Sequence, residues 1–424
     1  MLINHEKLKG FAQAVFERLG AQADKAFETA DHLVEANLKG HDSHGVGMIP
    51  NYVGSALRGG LQVNAAILTR SRSMLINHEK LKGFAQAVFE RLGAQPDKAF
   101  ETADHLVEAN LKGHDSHGVG MIPNYVGSAL RGGLQVNADA RVVKDQGAVL
   151  LVDGGFGFGQ VVGRQATDLG IEKAKAMGIA CIGSRNNHHL GRIGSYAEQC
   201  VAAGMVSIHF VNVVGHPPFV SMWGGRDKRL QTNPFCCGVP TESEPLILDM
   251  ATSAIALGKV RVADMKNELV PENALFDAAG RPTRDPAVIA EGGSLGPFGQ
   301  HKGSGLALMC ELLGGALAGE WTMQDIDQQK EITVNHMLML ILDPNVFGGV
   351  QGFRREVAGM QAYARSAAPA EGFDEVRLPG DPERASRRER LSSGIPIDPQ
   401  SWGAICEAAE NSGLTSSEIA GLVD

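Results

Sequence analysis

The first 65 residues of this chain occur twice. Met1–Ala65 returns as Met74–Ala138, 73 positions later, and the two copies differ only where Ala23 becomes Pro96. Everything from Asp139 onward occurs once. Each copy carries a His-Asp-Ser-His-Gly cluster, His41–Gly45 and His114–Gly118, but the body such a cluster would serve is single. At most one copy per chain completes a site with that body. Solenoids show diverged units, usually three or more, with periods of roughly 20–50 residues. Two near-identical copies instead indicate a recent duplication, a recombination product or an error in the gene model. The linker Ala66–Ser73 (AILTRSRS) has no strong pattern. Residues 1–73 are expected to add no chemistry; the sharper alternative is that the spare copy swaps into another subunit. The second copy is expected to be the docked one, because its short connection to the body costs less closure entropy.

At 424 residues there is chain for two or three domains. Hydrophobic content of 43% with 21% charged residues is that of an ordinary globular protein, and 53 glycines with 5% aromatics suit an α/β enzyme rich in tight loops. A net charge of −9 supplies no basic stripe for phosphate contacts, so no nucleic-acid partner is expected. No run of 18 apolar residues and no apolar signal core occur, which argues against a membrane partner. The six cysteines (Cys181, Cys200, Cys236, Cys237, Cys310, Cys406) show neither zinc spacing nor a Cys-x-x-Cys pair, and reduced thiols in a cytoplasmic protein are the simplest reading.

The second copy opens with two amphipathic helices. Leu81, Phe84, Val88 and Leu92 share a face, Asn77 is a plausible cap and Gly93 a stop. The next helix spans about Pro96–Leu111, with proline where its missing N–H costs nothing. From Ala148 the pattern changes to strand (Val149–Val152), glycine loop (Asp153–Gly159), helix (Gln160–Met177) and strand (Ile179–Ile182), a strand–helix–strand unit. A polar loop, Ser184–Arg192, leads into a helix near Ile193–Ala203 and a strand at Val206–Val211. Thr232–Pro240, Leu246–Thr252 and Met337–Leu342 read as strands, and Lys302–Leu317 and Trp402–Glu410 as helices. The expected organisation is an extra helical segment at 1–73, a helical domain built from 74–147 and about 350–424, and an α/β domain at 148–349.

The glycine loop invites a dinucleotide fingerprint, but the spacing fails: Gly155 and Gly157 fit its first two glycines, and the last falls on Gln160. No clear ribose-binding acid follows about 20 residues on. A tight turn before a helix is the better reading. The histidines say more. His114, His117, His188 and His189 fall in polar, glycine-flanked segments beside Ser116, Asn186, Asn187 and Arg192. Histidine exchanges protons near neutral pH, and arginine grips a carboxylate with two hydrogen bonds. Together they suit a 2-oxo or 2-hydroxy acid.

Five segments in order, His114–Tyr125 (HDSHGVGMIPNY), Asn187–Tyr196 (NHHLGRIGSY), Thr232–Pro234, Leu248–Thr252 (LDMAT) and Lys302–Gly305 (KGSG), resemble the type-2 malate/L-lactate dehydrogenases. That family includes ureidoglycolate dehydrogenase and diketogulonate reductase, and the chain is most similar to its hydroxycarboxylate dehydrogenase branch. The resemblance spans about Leu75–Leu422. It implies an α/β fold that is not a Rossmann fold, with a mixed sheet for the cofactor and helices from both chain ends packed together. It also implies a homodimer or higher assembly. The implied catalytic residues are His117 and His189, with a slight preference for His117 as proton donor and His189 as the group that orients substrate. Implied substrate contacts are Ser116, Arg192 as carboxylate clamp, Thr232 and Asn233. Implied contacts to NAD, or NADP, are Asp249, Met250, Ala251, His301, Lys302, Pro379, Gly380 and Asp381. Many members carry arginine four residues after the motif histidine, and here Met121 stands there. A metal-dependent lyase or hydrolase using the loop histidines, and a non-catalytic assembly protein, are the two competing readings.

Overall fold

The computed structural model describes residues 4–19, 21–38, 46–50, 52–53, 74–265, 268–319, 321–324 and 332–423. The chain forms two compact units, Met1–Ser73 and Met74–Asp424.

In the larger unit the opening helices are His78–Arg91 and Pro96–Leu111. Asn77 caps the first: its Oδ1 accepts from the amides of Glu79 at 2.9 Å and Lys80 at 3.3 Å, satisfying two otherwise unpaired donors. A two-stranded antiparallel ribbon, Met74–Ile76 with Ile395–Ile397, ties the start of this unit to its last segments. Phe84, Phe89, Tyr125 and Phe158 share one apolar core with Ile405 and Ile419 of the final helices Pro399–Ser412 and Ser416–Val423. The Phe84 ring lies 5.3 Å from that of Trp402.

The smaller unit repeats the helix pair as His5–Arg18 and Ala23–Leu38, around a minor core of Ala12, Phe16, Ala26, Ala30 and Leu33. The faces covered in the second copy are open here. Phe11 is 61% exposed where Phe84 is 0%, and Leu38 is 62% exposed where Leu111 is 1%. His41–Gly45 and the linker 66–73 lie outside the described residues.

The body is a seven-stranded mixed sheet in the order Arg141–Gln146, Val149–Asp153, Ile179–His188, Val334–Leu342, Val206–Val214, Phe235–Val239, Leu246–Met250. Val149–Asp153 and Ile179–His188 are parallel, joined by the helix Gly159–Met177; the other neighbours are antiparallel. A smaller five-stranded sheet holds Val220–Ser221, Lys228–Leu230, Leu275–Phe276, Pro282–Thr283 and Ser294–Leu295.

Two elements differ from the sequence reading. The strand from Ile179 continues to His188, so Ser184–His188 is not loop, and His188 is buried. Its polar side chains find partners in the fold: Ser184 donates to Asn187 Oδ1 at 2.9 Å, Asn187 donates to the Asn335 carbonyl at 3.0 Å, and His188 Nε2 lies 2.9 Å from Ser128 Oγ of the helix Ile122–Leu130. The helix from His301 stays α-helical to Cys310, then widens into a π-helix over Glu311–Gly319. Gly314 and Gly319 face the main sheet there, where a Cβ would stand 2.9 Å from the Asn212 amide nitrogen and 2.6 Å from the His336 ring.

Candidate active site

The glycine loop is the seat of the histidine segment. Gly154 N donates to the Arg185 carbonyl at 2.8 Å, Phe156 N to that of Asn186 at 2.7 Å, and His188 N to that of Gly157 at 3.1 Å. A Cβ on Gly159 would stand 2.2 Å from the His189 carbonyl oxygen, so only glycine lets the helix start approach this closely. The next residue, Gln160, donates from Nε2 to Tyr125 Oη at 2.7 Å, and Tyr125 Oη lies 2.7 Å from His189 Nδ1. Nε2 of His189 is the nitrogen left for a substrate.

His117 meets this assembly from the second copy. Its ring stacks on His189, centroids 5.5 Å apart and planes at 20°. Ser116, exposed, places its Oγ 2.9 Å from His117 Nδ1. The rest of the cluster is an anchor. Asp115 takes two hydrogen bonds from Arg390 at 2.6 and 3.0 Å, and His114 Nε2 lies 3.3 Å from Glu383 Oε1. Both partners belong to the helix Asp381–Ser393. Burial drives the His117 pKa down to about 4, helped by His114 and Arg192 and opposed by Asp249. Burial and then the charge of His117 hold His189 well below the ordinary histidine value. Both rings are neutral at pH 7, and a proton on His117 penalises one on His189.

Three candidates turn out to be engaged inside the protein. Arg192 is buried, its Nη2 donating to Glu198 at 2.5 Å and Ser195 at 3.3 Å, so its charge is already met and the carboxylate clamp assigned to it is not free. Its Nε is buried without a partner. Asn233 is buried and braces the fold: Nδ2 donates to Glu311 at 2.7 Å and the Ala307 carbonyl at 3.2 Å, and Oδ1 accepts from Val213 N at 3.2 Å. Asp381 holds Arg384 at 2.7 Å and Arg365 at 3.0 Å; these bonds and one from Leu378 N outweigh its burial and bring its pKa to about 2. Thr232 contributes its carbonyl, which accepts the Thr252 amide and hydroxyl, each at 2.8 Å.

Asp249 is better placed. Its Oδ2 accepts from Gly194 N at 2.7 Å, at the start of the helix Gly194–Ala202, where the helix dipole favours a carboxylate. Ile247 N donates to the Pro379 carbonyl at 3.4 Å, which brings the Pro379-Gly380 turn against the edge strand. Asp249 and Gly380 then wall a cavity of about 290 Å³ in which Lys112, Arg192, Arg384 and Arg387 stand among Glu108, Glu198, Glu244 and Glu383. Gly380 has φ +93°, and a Cβ there would stand 2.6 Å from the Arg384 guanidinium. Met250 and Ala251 are half-buried at the strand end; His301 and Lys302 are exposed on the first turn of their helix and outside that cavity wall. Among the described residues no three His, Cys, Asp or Glu side chains converge as metal ligands.

The malate/L-lactate dehydrogenase family model matches residues 3–74 and again 76–406. The chain belongs to the malate/L-lactate dehydrogenase family. This dehydrogenase is 48% identical over 348 residues to hydroxycarboxylate dehydrogenase B of Escherichia coli K12, covering 80% of this chain and 95% of that one. It is 37% identical to L-lactate dehydrogenase of Cupriavidus necator over 334 residues, 78% and 95% of the two chains. The solved sulfolactate dehydrogenase of Methanocaldococcus jannaschii matches with a TM-score of 0.75 at 33% identity, over 83% of this chain and 100% of that one.

Sequence reasoning assigned no role to Tyr125 or to Gln160. Tyr125 sits inside the His117 motif on the short helix Ile122–Leu130, and a phenol in an apolar helix needs a polar partner. Gln160 was visible only as the residue that spoils the glycine pattern.

Proposed function

We propose that this dehydrogenase reversibly reduces a 2-oxo acid to the 2-hydroxy acid with NAD or NADP. The stacked His117–His189 pair, with Nδ1 of His189 held by Tyr125, carries the reading. Asp249 offers a carboxylate suited to ribose hydroxyls in the wall of the cavity. Lys112, Arg387 and Arg384 are already paired with Glu198, Glu108 and Asp381, so family membership, not free phosphate donors in this cavity, supports the nicotinamide cofactor. Hydride is what the nicotinamide supplies when bound. His117 is the acid–base group: it gives its proton to the ketone oxygen during reduction and takes it back during oxidation. A bound substrate carboxylate raises the His117 pKa from its low value towards neutrality. His189, neutral, directs Nε2–H at the same oxygen and stabilises the charge that develops there. Met121 packs against the helical core, so this position supplies no guanidinium to a substrate carboxylate.

The cytoplasm is the proposed compartment. The assembly reading, a homodimer or larger homo-oligomer, is supported by the helix Val350–Arg365. None of its side chains is buried, and Met360 and Tyr363 are exposed. Helices in proteins owe most of their stability to packing of an apolar face, and this one leaves such a face uncovered. No helix among the described residues is long and apolar enough to cross a membrane.

The test is a panel of 2-oxo acids with NADH or NADPH, read as loss of reduced-nicotinamide absorbance. Turnover with one acid supports the reading. Silence across the panel, with chelator-sensitive activity on another substrate class, would replace it with the metal-dependent one.

A further inference from the structure

We propose that Gln160 is a positioning residue that, through Tyr125, fixes His189 in the tautomer protonated on Nε2. The inference rests on the reading that His189 faces the substrate. Gln160, Tyr125 and His189 are all buried, so no bulk water competes for their hydrogen bonds. The carboxamide donates from Nε2 to the phenol oxygen at 2.7 Å. That bond points the phenol proton away from Gln160. Two acceptors remain for it: His189 Nδ1 at 2.7 Å and the His189 carbonyl at 3.4 Å. The shorter contact wins, because hydrogen bonds normally span about 2.5–3.2 Å and the carbonyl lies beyond that range. With Nδ1 accepting, the neutral ring carries its proton on Nε2.

The backbone holds the decision in place. Gly159, whose missing Cβ seats the helix on the His189 carbonyl, immediately precedes Gln160. Gln160 Oε1 is buried with no partner, so the bond that Nε2 donates to Tyr125 is what holds the amide. An acceptor presented to Tyr125 instead would draw the phenol proton towards residue 160. His189 would then have to donate from Nδ1, leaving a lone pair on Nε2 facing a developing negative charge. The residue that breaks the dinucleotide pattern is therefore the one that sets the direction of the chain.

The test is the histidine side-chain nitrogen–proton correlation spectrum of the full chain, 15N-labelled, with His189 assigned through His189→Ala. The native protein is expected to show His189 protonated on Nε2. In Gln160→Glu, an ionised carboxylate reverses the tautomer, and kcat for 2-oxo acid reduction falls about 100-fold with a smaller change in KM. In Gln160→Met, which has no donor, the tautomers mix and kcat falls about tenfold. Tyr125→Phe combined with Gln160→Met is expected to be no slower than Tyr125→Phe alone, because the path is already cut. A native Nδ1–H tautomer, an unchanged tautomer in the variants, or additive losses in the double variant would overturn the proposal, whatever the activity. Full turnover in His189→Ala would instead remove the underlying reading of the site.

Discussion

His117 and His189 do different work on one oxygen, and the difference is measurable residue by residue. His117→Ala should lower kcat by about 10²–10⁴, the usual worth of a positioned acid–base group. His44→Ala, in the first copy, should leave turnover unchanged; the reverse result would mean that the first copy is the one docked on the body. The pH profile follows from the depressed His117 pKa of about 4 in the free enzyme. Reduction needs the protonated ring, so its kcat/KM should fall about tenfold per unit as pH rises from 5 to 8. Oxidation needs the neutral ring, so its kcat/KM should stay level over that window and drop near pH 4. A bell centred on pH 7 in both directions would contradict the assignment. The motifs name both histidines and Asp249 in the sequence, and the structure stacks the two rings. That Arg192, Asn233 and Asp381 are each held by a partner inside the protein was not legible there, because what a charged or polar side chain does depends on that partner. Glu198, Glu311 and Arg365 are not announced by any spacing.

Helices were the most readable elements, since their caps and periodicity are local. Asn77, Gly93 and Pro96 mark the helix ends that the structure shows. The strand Ile179–His188 was cut short in the sequence because Asn187 and His188 look like loop residues until Asn335 and Ser128 are known to face them. The glycine loop was readable as a tight turn; that it supports the histidine segment rests on contacts distant in sequence. Gly159→Ala tests this at the scale of the element. A Cβ 2.2 Å from the His189 carbonyl forces the loop and helix apart, so turnover should fall at least tenfold while the far-ultraviolet spectrum stays native. Wild-type turnover in that variant would show that the loop does not position His189.

The whole molecule stores several neutral histidines. Burial lowers His105 and His188 to about 3 and His336 to about 4. Unfolding returns them to about 6.5, so between that value and their folded pKa the unfolded chain binds more protons. Stability is therefore full above about pH 6.5 and is lost as pH falls towards 4, by about 1.4 kcal/mol per pH unit for each such group. Denaturant midpoints should be level from pH 7 to 8 and drop steeply by pH 5; a flat profile from 5 to 7 would contradict the burial. The duplicated segment supplies its own control. Phe84→Ala should cost about 3–5 kcal/mol of unfolding free energy, as a core phenylalanine does. Phe11→Ala, the same residue in the other copy, should fall within about 0.5 kcal/mol of wild type.

The ribbon between Met74–Ile76 and Ile395–Ile397 has a consequence for synthesis on the ribosome. Both copies of the helix pair emerge hundreds of residues before Ile405 and Ile419, the side chains one copy must pack on. Translation at about 5–20 residues per second leaves two near-identical candidates waiting for tens of seconds. The last helices to emerge choose between them, and the shorter tether makes the choice for the second.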